Sequence, residues 1–292
     1  MKIAVSGYAP EWLPDWAALE ESLAAHVGGA VAQGAELLVY PEYGGVASGL
    51  IGQPEGLDAA GWADRLAERA EAWVGLNAHL AKAHGVHVLA GSTCVRLDGH
   101  IVNRTWLCTP DGATGHQDKA ILTPYERDDM QLSPGQELNV FDTALGRIGV
   151  LICYDSEFPL LARGLVEAGA EMLLVPSYTD LPAGATRVRE SCRARAIEQQ
   201  CLVVNAPLAG ACADCEIYDV GTGRPGLFCP PDVGQPPSGI LAEAQSDAAP
   251  GWLIAEVDPA AISMPRLTGA VGNHAQWAEQ KRVPPPGLIS LK

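Results

Sequence analysis

Residues 148 to 159 read Ile148-Gly149-Val150-Leu151-Ile152-Cys153-Tyr154-Asp155-Ser156-Glu157-Phe158-Pro159, and the reading of the chain turns on this stretch. The apolar run Ile148 to Ile152 has the length of a buried strand, polar residues follow the thiol at once, and Pro159 opens a helical pattern. A sulfur at such a strand-to-helix junction is displayed to solvent, and helix-end N–H groups there favour a thiolate. Cys153 is therefore a candidate nucleophile. Taken alone it reads more readily as one more buried small hydrophobe, the usual fate of a free cysteine.

Candidate partners lie upstream. Leu37-Leu38-Val39-Tyr40 is a short apolar run of the kind buried on both faces, and Pro41 then sets the carboxylate of Glu42 just past its end. Lys119 lies in His116-Gln117-Asp118-Lys119-Ala120-Ile121-Leu122-Thr123-Pro124-Tyr125-Glu126, where a cation enters an apolar stretch and Glu126 follows a proline. Read singly, Glu42 is a loop acid, and Lys119 with Glu126 is a surface pair.

Together these segments resemble the nitrilase superfamily of carbon–nitrogen hydrolases, whose catalytic Glu, Lys and Cys occur in that chain order. The Glu of the family's Pro-Glu motif falls on Glu42, the Lys of its Lys-x-x-Leu-x-Pro-x-Glu type segment on Lys119, and the second Glu of that segment on Glu126. The nucleophile motif falls on GVLICYDSEFP, residues 149 to 159. KIAVSG at the start, HGVHVLAGS, NRTWLCTPDG and RARAIEQQCLVVNA extend the likeness over residues 1 to about 260. The resemblance implies an α/β fold, a four-layer αββα sandwich, in a single carbon–nitrogen hydrolase domain over residues 1–292. It also implies a homodimer or higher homo-oligomer, with residues 157–169 and the tail 258–292 at the subunit contact.

The chemistry open to these residues can be stated on its own. A thiol attacks an amide or nitrile carbon as thiolate and needs a base; Glu42 is the candidate, since burial raises a carboxylate's pKa towards the useful range. Lys119 and the backbone N–H of Tyr154 can stabilise the oxyanion of the tetrahedral intermediate. Glu126 would hold Lys119 and the base in position, or form a plain ion pair with Lys119. The family's nitrile-hydrolysing members usually follow the nucleophile with Trp-Glu, whereas Tyr154-Asp155 stands here and resembles the amidase and carbamoylase branches. The expected substrate is a small amide or N-carbamoyl compound, with no cofactor and no metal. Two alternatives remain: nitrile hydrolysis at the same site, and a catalytically idle binding protein of the same fold.

Composition bounds the partners. Lys and Arg number 19 against 35 Asp and Glu, a net charge of −16, which disfavours nucleic acid and acidic membrane surfaces. No run of 18 apolar residues occurs and the start reads straight into a strand, so a cytoplasmic address is expected. The eight cysteines read as reduced thiols; Cys212 and Cys215 form a CxxC that reads as a loop coincidence, since zinc lacks a second ligand pair and little supports a redox role.

The apolar pattern predicts strands near 2–7, 35–40, 86–93, 101–109, 147–152, 171–176, 201–206, 227–229 and 252–257. Helices are predicted near 15–33, 61–85, 157–169 and 184–200. On the last helix Arg187, Arg189, Arg193 and Arg195 suggest a carboxylate site, but the spacing of Glu190 to Arg193 and Arg195 to Glu198 favours a solvated or interface face. The Pro/Gly-rich stretch Gly221 to Gly239 reads as a surface excursion or as a loop over the site. The histidines have no metal-binding spacing.

Overall fold

In β1 (Lys2–Gly7) alternate residues enter different cores: Ile3 and Val5 pack in one and Ala4 in the other. The same split recurs in β2 (Leu37–Val39) and β3 (His87–Leu89), where Leu37, Val39 and Leu89 face one way and Leu38 and Val88 the other. Because successive side chains of a strand point to opposite faces, strands apolar at every position must be covered on both sides. The computed structural model, which describes residues 1–246 and 251–291, meets that need with layers of helix, sheet, sheet and helix.

The first sheet continues through β4 (Thr93–Leu97), β5 (His100–Cys108) and β6 (Thr114–Asp118), joined as antiparallel neighbours around β5. Its outer face is covered by α1 (Trp16–Val31) and α2 (Ala59–His84), which bury Leu19, Leu23, Trp62, Leu66 and Trp73. Asp15 and Asp58 cap the two helices by accepting the N–H of Ala18 and Gly61, satisfying donors that the first turn leaves unpaired.

The second sheet holds β7 (Val140–Thr143), β8 (Gly146–Val150), β9 (Met172–Ser177), β10 (Leu202–Pro207), β11 (Gly226–Phe228) and β12 (Ile240–Glu243). Its strand order is β12-β11-β10-β9-β8-β7, with β8, β9 and β10 parallel. Helices α3 (Pro159–Glu167) and α4 (Pro182–Gln199) close this side with Leu165, Val188, Cys192 and Ala196. A Cβ on Gly149 would stand 3.0 Å from Leu173 and 3.1 Å from Leu165, so glycine sets how closely α3 approaches β8. Finally β13 (Gly251–Glu256) returns to pair antiparallel with β1.

The predicted strand 86–93 is two strands, because Gly91 turns the chain at φ +70 between β3 and β4. The pattern did not indicate β6, β7 or β12, whose residues are only partly buried and carry no clean alternation. Residues 221–239 are not simply a surface excursion, since β11 lies among them and Phe228 is in the core. No helix among the described residues is long and apolar enough to cross a membrane. All eight cysteines are free, buried thiols.

Candidate active site

Four strand ends converge on one cavity of about 420 Å³. Past β2, the chain passes Pro41 and delivers Glu42, then bends at Tyr43 with φ +52. The bend lies against Gly91, where a Cβ would stand 2.5 Å from the Pro41 carbonyl, so only glycine leaves room. Lys119 follows β6, and its N–H bonds the Asn103 carbonyl of β5 at 2.8 Å. Cys153 follows β8, and Tyr178 follows β9.

The Lys119 ammonium, 2% exposed, sits between two carboxylates, donating to Glu42 Oε1 at 2.8 Å and to Glu126 Oε2 at 2.6 Å. Asn103 on β5 bridges the same pair, its Nδ2 donating at 3.0 Å to Glu42 Oε1 and at 3.0 Å to Glu126 Oε1. The second oxygen of Glu42 accepts the Tyr178 N–H at 2.9 Å. Glu126 also accepts the Tyr43 hydroxyl at 2.8 Å and the Thr123 N–H and hydroxyl at 3.0 and 2.9 Å. Thr123 and Glu126 thus form a capping box on the short helix Pro124–Asp128. An ammonium has three N–H donors. Two are engaged by the carboxylates, leaving one for the cavity that Lys119 lines.

Cys153 starts a 3-10 turn, Cys153–Glu157, in the left-handed region at φ +47, a conformation that costs a non-glycine residue on the order of 1–3 kcal/mol. The turn is held by the Ser156 hydroxyl donating to the Cys153 carbonyl at 2.6 Å. Asp155, fully buried, accepts the N–H groups of Ala120, Ile121 and Ile152 at 3.2, 2.8 and 3.3 Å. It therefore ties the nucleophile's turn to the segment carrying Lys119. The Cys153 thiol donates to the Tyr178 carbonyl at 3.4 Å and is also hydrogen-bonded to Glu42.

Environment separates the two glutamates. Burial raises the Glu42 carboxyl above its ordinary range, and the nearby Glu126 charge adds to the rise that Lys119 only partly offsets. Glu126 is buried too, but Lys119 and the donors of Thr123 and Asn103 bring it below that range. For Lys119, burial acts against the charge and the two carboxylates outweigh it, so the ammonium persists. Two carboxyls pushed apart in this way can divide the labour, the lowered one suited to a fixed charge and the raised one to accepting a proton. Burial, and then Glu42, raise the Cys153 thiol well above its usual value. This corrects the expectation of a thiolate favoured by a helix end. The turn after Cys153 is short, α3 begins only at Pro159, and the neighbouring charge is a carboxylate.

The carbon–nitrogen hydrolase family model matches residues 2–263. The chain belongs to this family. Within the carbon–nitrogen hydrolases it is 34% identical over 207 residues to a probable hydrolase, YhcX, of Bacillus subtilis, covering 71% of this chain and 40% of that protein. It is 32% identical over 155 residues to the 2-oxoglutaramate amidase of B. subtilis, covering 53% and 58% of the two chains. An (R)-stereoselective amidase of a Pseudomonas species is 35% identical over 124 residues, or 42% and 44%. The matches span about half the length of these relatives. Among solved structures, Saccharomyces cerevisiae Nit3 of the nitrilase superfamily superposes with a TM-score of 0.72 at 23% identity, covering 91% and 93% of the chains. An amidase from Nesterenkonia sp. gives 0.71 at 22% identity, covering 97% and 95%, so the fold is the nitrilase-superfamily sandwich.

In this carbon–nitrogen hydrolase, Glu42, Lys119, Glu126, Cys153 and Tyr154 all line the one cavity. Asp155 does not: it faces the backbone of residues 120 and 121, so only Tyr154 of the Tyr-Asp pair can touch a substrate. Arg187 also lines the cavity, 3.4 Å from Glu157, although its helix read as a solvated or interface face. Arg193 and Arg195 pair with Glu190 and Glu198 as their spacing indicated. Sequence reasoning missed Asn103, Tyr43, Thr123 and the Tyr178 N–H. Asn103 had a signal as a polar residue inside a predicted strand, and Thr123 had one in the Thr-x-x-Glu spacing of a capping box. Among the described residues no group of His, Cys, Asp and Glu is arranged to hold a metal ion.

Proposed function

We propose that this chain is an amidase-type hydrolase that cleaves a small amide or N-carbamoyl compound through a thioester on Cys153. Sγ attacks the carbonyl carbon as its proton passes to Glu42, which is in hydrogen-bond contact and has raised proton affinity. The oxyanion takes the free N–H of Lys119 and the backbone N–H of Tyr154. The C–N bond then breaks as Glu42 returns the proton to the departing nitrogen, releasing ammonia or an amine. A water gives its proton to Glu42 and attacks the thioester, and the acid leaves as the proton returns to sulfur. Glu126 touches none of these atoms and serves as a positioning residue that fixes the ammonium.

One observation carries this reading: a buried ammonium held between two carboxylates of opposite pKa shift, beside a thiol on a strained turn. Burying three charges is costly unless each is paired, and an idle binding protein has no need of that arrangement. Amidases among the similar proteins support amides over nitriles as substrates. The same reading extends to a homodimer, with exposed Leu160 on α3 and Leu267, Val271, Leu288 and Ile289 of the tail as its contacts. Ammonia release from a panel of aliphatic amides, N-carbamoyl compounds and matched nitriles tests the reaction. Amides or carbamoyl compounds turned over by wild type and not by Cys153→Ala are expected; nitriles hydrolysed faster than every matching amide would overturn the choice of substrate.

A further inference from the structure

The walls nearer solvent differ in charge from the floor. Glu157, Asp180, Glu216 and Asp219 stand around the cavity against a single guanidinium, Arg187. Arg187 is already 3.4 Å from Glu157. Asp180, Glu216 and Asp219 form no ion pair among the described residues, and Asp219 accepts only the N–H of its neighbour Val220. With 35 acids against 19 Lys and Arg, many carboxylates of this chain lack a cation, while others meet one, as Glu243 with Arg189, Glu167 with Arg163 and Asp118 with Arg104. What sets Asp180, Glu216 and Asp219 apart is their place on the wall of the cavity that holds Lys119 and Cys153.

These acids stand among aromatic rings. Tyr43, Tyr125 and Tyr178 line the same cavity, with Tyr43 and Tyr178 edge to face at 6.3 Å. The charges reach the rings: burial and then Glu216, Asp129 and Asp219 push the Tyr125 hydroxyl up to about 12, and burial followed by Asp219 and Asp180 raises Tyr178. The segment carrying Glu216 and Asp219 is anchored between them, where Ile217 and Tyr218 are buried and the Tyr218 hydroxyl donates to the Ala209 carbonyl, while the two acids themselves stand exposed. Aromatic faces with uncompensated carboxylates attract a cation and repel an anion. Cys153 and Lys119 set where the scissile carbonyl lies; the rim selects which amide reaches it.

The geometry points to a cationic amide as the substrate class: an acyl chain bearing an ammonium or guanidinium distal to the scissile carbonyl, its charge held by Asp180, Glu216, Asp219 and the tyrosines. This inference rests on the amidase reading above. Arg187, the one cation among these rim residues, is shared with Glu157, so the carboxylates there outnumber it and a substrate carboxylate is disfavoured.

The test uses the full chain and ω-amino amides of increasing length, each with its neutral methyl isostere (γ-aminobutyramide with valeramide) and an anion of similar length such as succinamate. The ammonium amide is expected to exceed its isostere in kcat/KM by about tenfold or more, and the anion to be poorest. Added salt narrows the ratio. Asp219→Asn and Glu216→Gln, separately and together, should lower the ratio of cationic to neutral turnover, chiefly through KM. Equal turnover of each pair, preference for succinamate, or an unchanged ratio in the double variant overturns the charge assignment while leaving an amidase. No ammonia from any member, with Cys153 unlabelled by an electrophilic amide, overturns the amidase reading and this inference with it.

Discussion

The floor and the rim of the cavity are built on opposite principles. At the floor, Glu42 from one segment meets Lys119 and Glu126 from another; all three are almost fully buried, each carboxylate contacts the ammonium, and their oxygens are bonded by Asn103, Tyr43, Thr123 and Tyr178. At the rim, Asp180, Glu216 and Asp219 are exposed and unmatched. Buried charge is tolerated only when fully paired, so the floor has one arrangement and its disruption is costly. Exposed charge in water can stay uncompensated at little cost, which leaves the rim free to vary with the substrate.

The contrast orders the expected effects. Cys153→Ala removes the bond-forming atom and should abolish turnover with thermal unfolding little changed, since Ala keeps the Cβ that makes φ +47 costly and loses only the thiol. Residual turnover near the wild-type rate would break the distinction at its strongest point. Lys119→Met should reduce kcat by roughly 10²–10³ through loss of an oxyanion donor. It should also lower stability by about 3–5 kcal/mol, because two carboxylates are left facing each other without a cation. A change confined to KM, read alongside a denaturant titration, would make Lys119 a uniform-binding residue instead.

Glu42→Gln should reduce kcat/KM by about 10²–10⁴. The pH profile adds a sign. Catalysis needs Glu42 ionised and burial raises its pKa, so activity should rise with pH along a limb lying above the ordinary carboxylate range. That limb should be absent from the residual activity of Glu42→Gln. Asn103→Leu removes a donor shared by both glutamates, favouring their protonated forms, and should move the acid limb to higher pH while costing stability on the order of 1–3 kcal/mol. A stability loss without movement of the limb would make Asn103 structural only. Rim substitutions should be the mildest, changing KM by several-fold with kcat nearly constant.

The same contrast explains what could be read from sequence. Glu42 and Cys153 could be picked out as candidates because each is a reactive residue placed just past an apolar run, and Lys119 and Glu126 because their shared segment resembles the family's, all in the order the family uses. The alternation of strand and helix patterns indicated a layered α/β protein, and the four layers were what the family resemblance implied. The donors around Glu42 and Glu126 were not legible: a backbone N–H such as that of Tyr178 has no sequence signature, and Tyr43 reaches Glu126 across 83 positions. Asp155 was read only as half of a Tyr-Asp pair resembling the amidase branch; that the 3-10 turn directs it into the protein, onto the backbone of the Lys119 segment, had no sequence signal. Glu216 and Asp219 belong to an irregular segment without periodicity, so nothing in the pattern assigned them to the cavity.

The central claim is that Cys153, served by Glu42, forms an acyl–sulfur bond with an amide substrate. Acid quenching during turnover, followed by peptide mapping by mass spectrometry, reads that bond directly. The account predicts the acyl mass on the Cys153 peptide alone, accumulating when hydrolysis of the thioester is slow and absent from Cys153→Ala. Sustained ammonia release with no acyl group on Cys153, or with the acyl group on Cys212 or Cys215, would contradict it.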